Sequence, residues 1–220
     1  MSCGNCRGDV NKENLIKLYW IKPLTHLKLN KGQIEKCCCG DKINDKDSDS
    51  ECYIFSCTSK TSNAPVPSIF FAGMGCSAKI LEMTGAHKLP VFNPFEEDNE
   101  DEYEIHTANK GDHSNDNQKT KWDPLNKELY KAINILILSW NIRDFNKYDT
   151  IVKILSFLES KKEIRTKNWA VEAINKMAAK DMKKRRIKDM LKDLGYKTKD
   201  IKFHEISALL KSLNIENYFE

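Results

Sequence analysis

The sequence contains no apolar run that approaches the roughly 18–20 residues needed to span a membrane as a helix. Its first residues, MSCGNCRGDVNKEN, lack the apolar core of a secretory signal peptide. We therefore expect an intracellular protein, nuclear or cytoplasmic, that contacts no membrane. Leucine, isoleucine, phenylalanine and tryptophan are still plentiful in places, which argues against a wholly disordered chain.

Familiar catalytic motifs are also missing. The sequence has no HExxH pair, no P-loop and no glycine-rich cofactor loop, and its five histidines are scattered. No nucleophile and base stand in a recognisable arrangement. We therefore predict a protein that is not an enzyme, and we identify no small-molecule substrate.

All eight cysteines lie within the first 76 residues. In a reducing compartment, clustered cysteines serve as metal ligands or as small buried side chains more often than as disulfides. A CxxC pair can bring two thiolates to one ion, and a CxC pair follows beyond a candidate hairpin. The predicted zinc ligands are Cys3, Cys6, Cys37 and Cys39. Buried or unpaired thiols, an iron–sulfur cluster and a redox thiol are the alternatives.

Composition divides the chain into three segments, and we expect an α+β protein overall. Residues 1–95 are predicted to form a small cysteine-rich α+β module, which a zinc ion could staple because its core looks thin. Residues 96–121 open with a run of acidic side chains without a positive charge, and we predict a disordered acidic linker. Residues 122–220 are predicted to form an all-α bundle of four to five helices.

Local patterns in the first segment predict four elements. They are a helix over 14–21, a hairpin turning at 30–32, and strands at 52–57 and 68–71. Pro23 is expected to end the helix. Cys52 and Cys57 are an odd number of residues apart, which places them on opposite faces of one straight strand.

Helical spacing of apolar residues continues through the last segment. Asp123 followed by Pro124 is typical of a helix start. Further helices are expected around 151–158, from near 166 to 177, and around 206–213. A break near 179–181, with Asp181 as the next cap, would give a helix-turn-helix outline, whereas the alternative is a single long helix.

Residues 183–186, KKRR, form the most basic run of the chain. On one helix, lysines at i+4 spacing would form a ridge able to follow a phosphate backbone. The predicted nucleic-acid contacts are Lys176, Lys180, Lys183, Lys184, Arg185, Arg186, Lys188 and Lys192. Alternatives are a solvated helix face, a nuclear-import signal, or docking on an acidic partner, including the chain's own residues 96–104.

Residues 140–147, WNIRDFNK, followed by KKEI at 161–164, resemble a stretch of the Tipin/Swi3 family of replication-fork proteins. The family's leucine- and glycine-containing segment is missing upstream of Trp140. The resemblance implies a helical, DNA-associated module.

These observations predict a non-enzymatic protein that associates with DNA or RNA, as a subunit of a larger complex, through a basic helix near 176–192. Protein partners are expected as well. The alternative is a protein–protein adaptor or scaffold subunit with no nucleic-acid contact. A steep salt dependence of nucleic-acid binding would distinguish the two functions.

Overall fold

The structure, a computed structural model, describes residues 6–29, 32–44, 51–62, 68–92, 121–142, 145–194 and 201–220. Within these ranges it contains seven α-helices, one 3-10 helix and six strands, which confirms the predicted α+β class. None of the helices in these ranges combines the length and the apolar character needed to cross a bilayer. The predicted linker lies outside the described residues except for Lys121, so its disorder stays a prediction.

The first segment forms a four-stranded sheet, a separate two-stranded hairpin and two helices. The sheet has the order β5-β4-β1-β6, in which β1 and β6 are parallel and the other neighbours are antiparallel. The hairpin joins β2 to β3. The elements are α1 (Asp9–Leu18), β1 (Tyr19–Lys28), β2 (Ile34–Lys36), β3 (Lys42–Asn44), β4 (Glu51–Ser59), β5 (Ser68–Gly73), α2 (Met74–Thr84) and β6 (Val91–Phe92).

Two predictions for this segment are corrected and two are confirmed. The first helix ends at Leu18, and Pro23 lies inside β1, beside an irregularity in the pairing with β4. A strand tolerates proline at its edge or at a bulge, and among the described residues β6 pairs with β1 only at His26 and Leu27. The hairpin predicted at 30–32 is wrong, because β2 pairs with β3 and not with β1. The two predicted strands are present as β4 and β5.

Side chains of β4 alternate between the two faces of the sheet. Cys52 and Ile54 belong to a large buried cluster that includes the helices of the last segment. Tyr53, Phe55 and Cys57 belong to a second, smaller cluster that includes side chains of α1 and α2. The predicted opposite placement of Cys52 and Cys57 is confirmed, and the sheet separates two helical layers.

The last segment contains five α-helices and the 3-10 helix among its described residues. The Asp123 carboxylate accepts hydrogen bonds from the backbone N of Leu125 at 2.9 Å and of Asn126 at 3.2 Å, which confirms the predicted helix start. The elements are α3 (Pro124–Ser139), the 3-10 helix (Phe145–Tyr148), α4 (Asp149–Ser160), α5 (Asn168–Ala178), α6 (Ile187–Asp193) and α7 (His204–Ser212).

Helix α3 connects the sheet to the other helices. The Tyr130 hydroxyl lies 2.9 Å from Thr25 Oγ1, which in turn donates to Asn134 Oδ1 at 2.6 Å. Apolar residues of β1, including Leu24 and Leu27, lie in the same buried cluster as those of α3. The first and last predicted segments therefore share a core, while the proposed domain boundaries and an independent helical bundle stay predictions.

The helix is interrupted between α5 and α6. This confirms the predicted break and excludes the alternative of a single long helix. α5 ends at Ala178, but α6 begins only at Ile187. Asp181 caps the intervening turn and not a helix, because its Oδ2 accepts from the backbone N of Lys183 at 3.1 Å and of Arg185 at 3.0 Å. The expected continuous lysine ridge on one helix is therefore interrupted at 179–186.

Candidate functional site: a cysteine cluster and a basic pocket

Five cysteines from three separate parts of the first segment converge. We call them the cysteine cluster: Cys6, Cys37, Cys38, Cys39 and Cys76. Their sulfurs form two groups, Cys6 with Cys38 and Cys76, and Cys37 with Cys39 and Cys76, and within each group all sulfurs lie within 4.8 Å of one another. Cys76 belongs to both groups, and either group could hold a metal ion.

The loop between β2 and β3 presents three of these cysteines. Cys37 donates its backbone N–H to the carbonyl oxygen of Asp41 at 2.9 Å, and Gly40 donates to the carbonyl oxygen of Cys37 at 2.8 Å. Gly40 has φ 94°, a conformation that favours glycine. Cys38 donates its N–H to the carbonyl oxygen of Phe71 at 2.8 Å, which anchors the loop to β5. Because α2 directly follows β5, the loop lies beside Cys76 in the first turn of that helix.

Cys6 and Cys38 form a disulfide, with their Cα atoms 5.6 Å apart. The backbone N–H of Cys6 also donates to the carbonyl oxygen of Cys38 at 3.1 Å. The sequence interpretation disfavoured disulfides on the basis of compartment, whereas the fold brings this pair within bonding distance. Cys37, Cys39 and Cys76 remain as free thiols in the cluster.

The three free thiols differ in acidity. Burial raises the pKa of Cys76 to about 12 and also raises the pKa of Cys39. Burial opposes ionisation of Cys37 as well, but hydrogen bonds from the backbone N–H groups of Cys39 and Gly73 lower the pKa of Cys37 below its ordinary value. The Gly73 nitrogen lies 3.4 Å from Cys37 Sγ. Cys37 is therefore the first of the three to become a thiolate.

Three of the four predicted zinc ligands, Cys6, Cys37 and Cys39, lie in the cluster, and Cys3 lies outside the described residues. The sequence interpretation missed Cys76. No ligand spacing links it to Cys39, because 36 residues lie between them, and the two meet through the contact between the hairpin loop and the start of α2. Cys52, buried in the sheet, belongs to neither group.

A second candidate site is a cavity of about 600 Å³ where the end of α3, the 3-10 helix, α5 and the α5–α6 turn meet. Two aromatic residues and three lysines in its lining define what we call the basic pocket: Trp140, Tyr148, Lys147, Lys180 and Lys183. The two rings have centroids 6.1 Å apart. Aromatic faces beside cations are typical of surfaces that bind single-stranded nucleic acid.

Asp181 organises the wall of this pocket. Its Oδ1 accepts hydrogen bonds from Trp140 Nε1 at 2.7 Å and from Arg185 Nη2 at 2.9 Å. The Arg185 guanidinium holds the pKa of the Asp181 carboxyl well below its usual range, so the carboxylate stays ionised. The buried carboxylate therefore fixes the orientation of the Trp140 indole.

The eight predicted phosphate contacts are not equivalent. Lys180 and Lys183 are exposed and line the pocket, as does Arg185, but the Arg185 side chain is only 14% exposed and binds both Asp181 and Asp193. The other predicted contacts flank the pocket in sequence, and their surroundings vary from exposed to half-buried; they are Lys176, Lys184, Arg186, Lys188 and Lys192. Arg186 donates to the Glu220 carbonyl oxygen at 2.8 Å.

The sequence interpretation did not identify Trp140, Lys147 and Tyr148 as site residues. Trp140 and Lys147 both occur in the WNIRDFNK stretch, so a local signal existed. Their convergence with the α5–α6 turn, about 40 residues later, depends on the long-range bond between Trp140 and Asp181.

A smaller cavity of about 340 Å³ lies between β1, α2 and the residues that lead into β6. The His26 ring stacks on Tyr53 with centroids 4.0 Å apart, and its Nε2 lies 2.9 Å from Glu51 Oε2. Burial lowers the pKa of His26. Ser77 also lines this cavity, but its hydroxyl donates to the carbonyl oxygen of Met74 within α2 and does not contact His26 as a nucleophile would contact its base. We therefore assign no chemistry to the cavity.

A comparison with models of protein families finds a match. A family model described as "Uncharacterised conserved protein UCP028583" matches residues 4–215. No curated protein and no solved structure matches the chain, so the short resemblance to the Tipin/Swi3 family gains no support. Because the match covers nearly the whole sequence, the chain belongs to the family of uncharacterised conserved protein UCP028583.

Proposed function

We propose that this protein is a non-enzymatic, nucleic-acid-associated subunit of a larger complex, acting in the nucleus or the cytoplasm, and that the basic pocket is its contact surface. The observation that carries the proposal is the presence of two aromatic rings and three lysines around one open cavity. A base can stack on Trp140 or Tyr148 while the lysine ammonium groups neutralise the flanking phosphates. Single-stranded DNA or RNA fits this arrangement, because its bases are free to stack.

The distribution of charge along the chain supports the proposal. Residues 121–220 contain 22 Lys and Arg against 14 Asp and Glu, a formal net charge of +8. Residues 1–120 contain 14 against 18, a net charge of −4. The half of the sequence that builds the basic pocket is therefore the half that attracts a polyanion.

Preorganisation of Trp140 supports it further. An indole held by a 2.7 Å hydrogen bond to a buried carboxylate does not need to be ordered when a base stacks on it. The bond also turns the polar edge of the ring towards the protein.

The direct test measures binding of a fluorescent oligothymidylate to the full chain over a range of salt concentrations. We expect binding that weakens steeply with salt. Replacing Lys147, Lys180 and Lys183 together by glutamine should flatten the slope of log K against log salt by about 2, at roughly 0.7 per lost contact on a single strand. Replacing Tyr148 by alanine should weaken binding about tenfold or more without changing the slope, because stacking carries no counterion release.

A matched control removes three positive charges elsewhere. Lys17, Lys36 and Lys42 are exposed in the first segment, and changing them together to glutamine alters the net charge equally. The control should keep the wild-type slope. Absence of binding by the wild-type chain at low salt, or equal losses in both triple variants, would contradict the proposal.

One observation favours the adaptor function as the second candidate. Val10, Leu18 and Trp20 expose 69%, 54% and 64% of their surface at and just after α1. Apolar side chains exposed near one another are common at protein–protein contacts. Failure of nucleic-acid binding at low salt would make this candidate the leading one.

We also propose that the ion for the cysteine cluster is zinc. Thiolates are soft ligands that zinc accepts in tetrahedral structural sites, and the apolar cluster on this side of the sheet is small enough to benefit from a staple. Metal analysis of the chain purified under reducing conditions should find about one zinc per chain. No stoichiometric zinc would refute this part of the proposal.

A further inference from the structure

The cysteine cluster has more sulfurs than one zinc ion needs, but two of them are bonded to each other. The free thiols Cys37, Cys39 and Cys76 supply three ligands, whereas a structural zinc site is closed by four. Two further sulfurs, those of the Cys6–Cys38 disulfide, form the second group with Cys76. Among the described residues, the cluster therefore lacks a fourth thiolate as long as that disulfide persists.

We propose that the Cys6–Cys38 disulfide and a bound zinc ion are alternative states of this cluster, and that reduction releases Cys6 to complete a site with Cys37, Cys39 and Cys76. The inference rests on the zinc site proposed above and adds its redox control. Cys76 is the shared element, since its sulfur lies within 4.8 Å of both the disulfide sulfurs and the other two thiols.

The geometry favours Cys6 over Cys38 as the fourth ligand. Cys6 is fully buried, and its backbone N–H bonds to the Cys38 carbonyl oxygen at 3.1 Å, so it remains beside the loop when the disulfide opens. It also reaches the cluster from a separate segment. The Cys38 sulfur does lie 4.0 Å from that of Cys37, but the two residues are adjacent in the chain, and three consecutive residues would have to turn towards one ion if Cys38 were a ligand.

The chemistry requires only a dithiol reductant. One thiolate of the dithiol attacks a sulfur of the disulfide and forms a mixed disulfide, and its second thiolate displaces the protein sulfur and closes the dithiol's own disulfide. Two electrons and two protons pass to Cys6 and Cys38. Zinc then binds the four cysteines as thiolates, and the protons of their thiols pass to solvent. Oxidised glutathione reverses the change, because it takes up the two electrons as two molecules of reduced glutathione.

The experiment compares zinc binding by the full chain after treatment with a dithiol and after treatment with oxidised glutathione, each followed by removal of the small molecules. We expect about one zinc per chain in the reduced form and at least a tenfold weaker zinc affinity in the oxidised form, measured by competition with a chromogenic chelator. Cobalt(II) provides a second measurement, since a tetrahedral four-thiolate site gives strong visible absorption that should appear in the reduced form and not in the oxidised form.

Single substitutions separate the roles of the cysteines. Cys38→Ser cannot form the disulfide but keeps all four proposed ligands, so it should bind zinc equally after either treatment. Cys76→Ser should keep the Cys6–Cys38 disulfide, seen by thiol counting, and lose zinc in both states. Cys52→Ala, outside both sulfur groups, is the matched control and should behave as the wild type.

The outcomes distinguish this inference from the zinc proposal beneath it. No zinc in the reduced wild type would refute both. Zinc bound equally by reduced and oxidised wild type would refute only the redox control. A Cys38→Ser variant that stays sensitive to oxidation, or that loses zinc, would overturn the assignment of Cys6 as the fourth ligand.

Discussion

The two faces of the sheet are stabilised in different ways. Among the described residues, the cluster shared by the sheet and helices α3 to α7 contains 34 buried apolar residues, whereas the cluster on the side of α1 and α2 contains 13. Four of those 13 are cysteines, namely Cys6, Cys37, Cys39 and Cys57. A small core gains most from a covalent or metal cross-link, and a large one from packing. The stability of the side that contains α1, α2 and the cysteines should therefore depend on disulfide and metal bonds. The stability of the side that contains α3 to α7 should depend on apolar packing and on buried polar contacts.

The largest effect that tests this comparison is the opening of the Cys6–Cys38 disulfide in zinc-free protein. The bond spans 32 residues, and a loop of this length contributes about 4 kcal/mol by restricting the unfolded chain. Because a dithiol also opens the disulfide of Cys57, urea unfolding should compare the wild type with Cys38→Ser, both without a dithiol, and should show a loss of this size. Amide hydrogen exchange should locate the loss of protection in α1, α2 and the β2–β3 hairpin.

The helical side provides the internal control for this prediction. Helices α3 and α4 should keep their exchange protection when the disulfide opens, because their contacts lie in the larger cluster. Adding Cys52→Ala to both proteins should leave the stability difference between the wild type and Cys38→Ser unchanged. Equal loss of protection in α3 and in α1 would show that the two sides do not differ in the proposed way.

The second effect concerns the buried carboxylate of the helical side. Replacing Asp181 by asparagine removes the charge that faces Arg185 and should destabilise the protein by about 3 kcal/mol, as expected when one partner of a buried ion pair is lost. Asp193 is the matched control, since it contacts the same arginine but is 52% exposed. Asp193→Asn should cost less than about 1 kcal/mol in urea unfolding.

The same carboxylate predicts a dependence on pH. Because the folded-state pKa of Asp181 lies below the ordinary value of 3.8, its contribution is complete above that value and is lost as pH falls towards the folded pKa. The difference in unfolding free energy between wild type and Asp181→Asn should therefore be constant from pH 7 to about 5 and shrink below about pH 4. A difference that grows on acidification would contradict the assignment.

The sequence predicts features that depend on adjacent residues. The cap at Asp123, the strands around Cys52 and Ser68, and the break after Ala178 follow from local chemistry or from a repeating apolar pattern. The pairing of β2 with β3 and the inclusion of Pro23 in β1 were missed, because strand partners are chosen by tertiary contacts.

The candidate site follows the same division between local and long-range information. Cys6, Cys37 and Cys39 have ligand-like spacing and were predicted. Cys76 is not spaced from another cysteine like a ligand, and it reaches the cluster only because α2 packs beside the hairpin loop. Lys183 belongs to the basic run at 183–186, and Lys180 to the predicted lysine ridge. The sequence could not reveal that Arg185, in the basic run, is bound to Asp181. The residue type alone does not distinguish an arginine in a solvated turn from one in a buried ion pair.

The smallest predicted effect tests whether the two sides of the sheet act as one folding unit. Tyr130 of α3 places its hydroxyl 2.9 Å from Thr25 Oγ1 of β1, in a fully buried contact between the last and first segments. Tyr130→Phe removes this bond together with the hydroxyl's longer contacts to the His26 backbone N–H at 3.3 Å and to the Pro90 carbonyl oxygen at 3.4 Å, and should cost about 1 to 2 kcal/mol. Tyr218→Phe is the control, because the Tyr218 hydroxyl bonds to Glu216 in an exposed position and its loss should cost less than about 0.5 kcal/mol.

If the segments unfold together, exchange protection in β4 and in α3 should fall by the same amount in Tyr130→Phe, because both then report one global opening. A loss confined to one of the two would show that the shared core joins two units that unfold separately, as the linker-and-domain prediction requires.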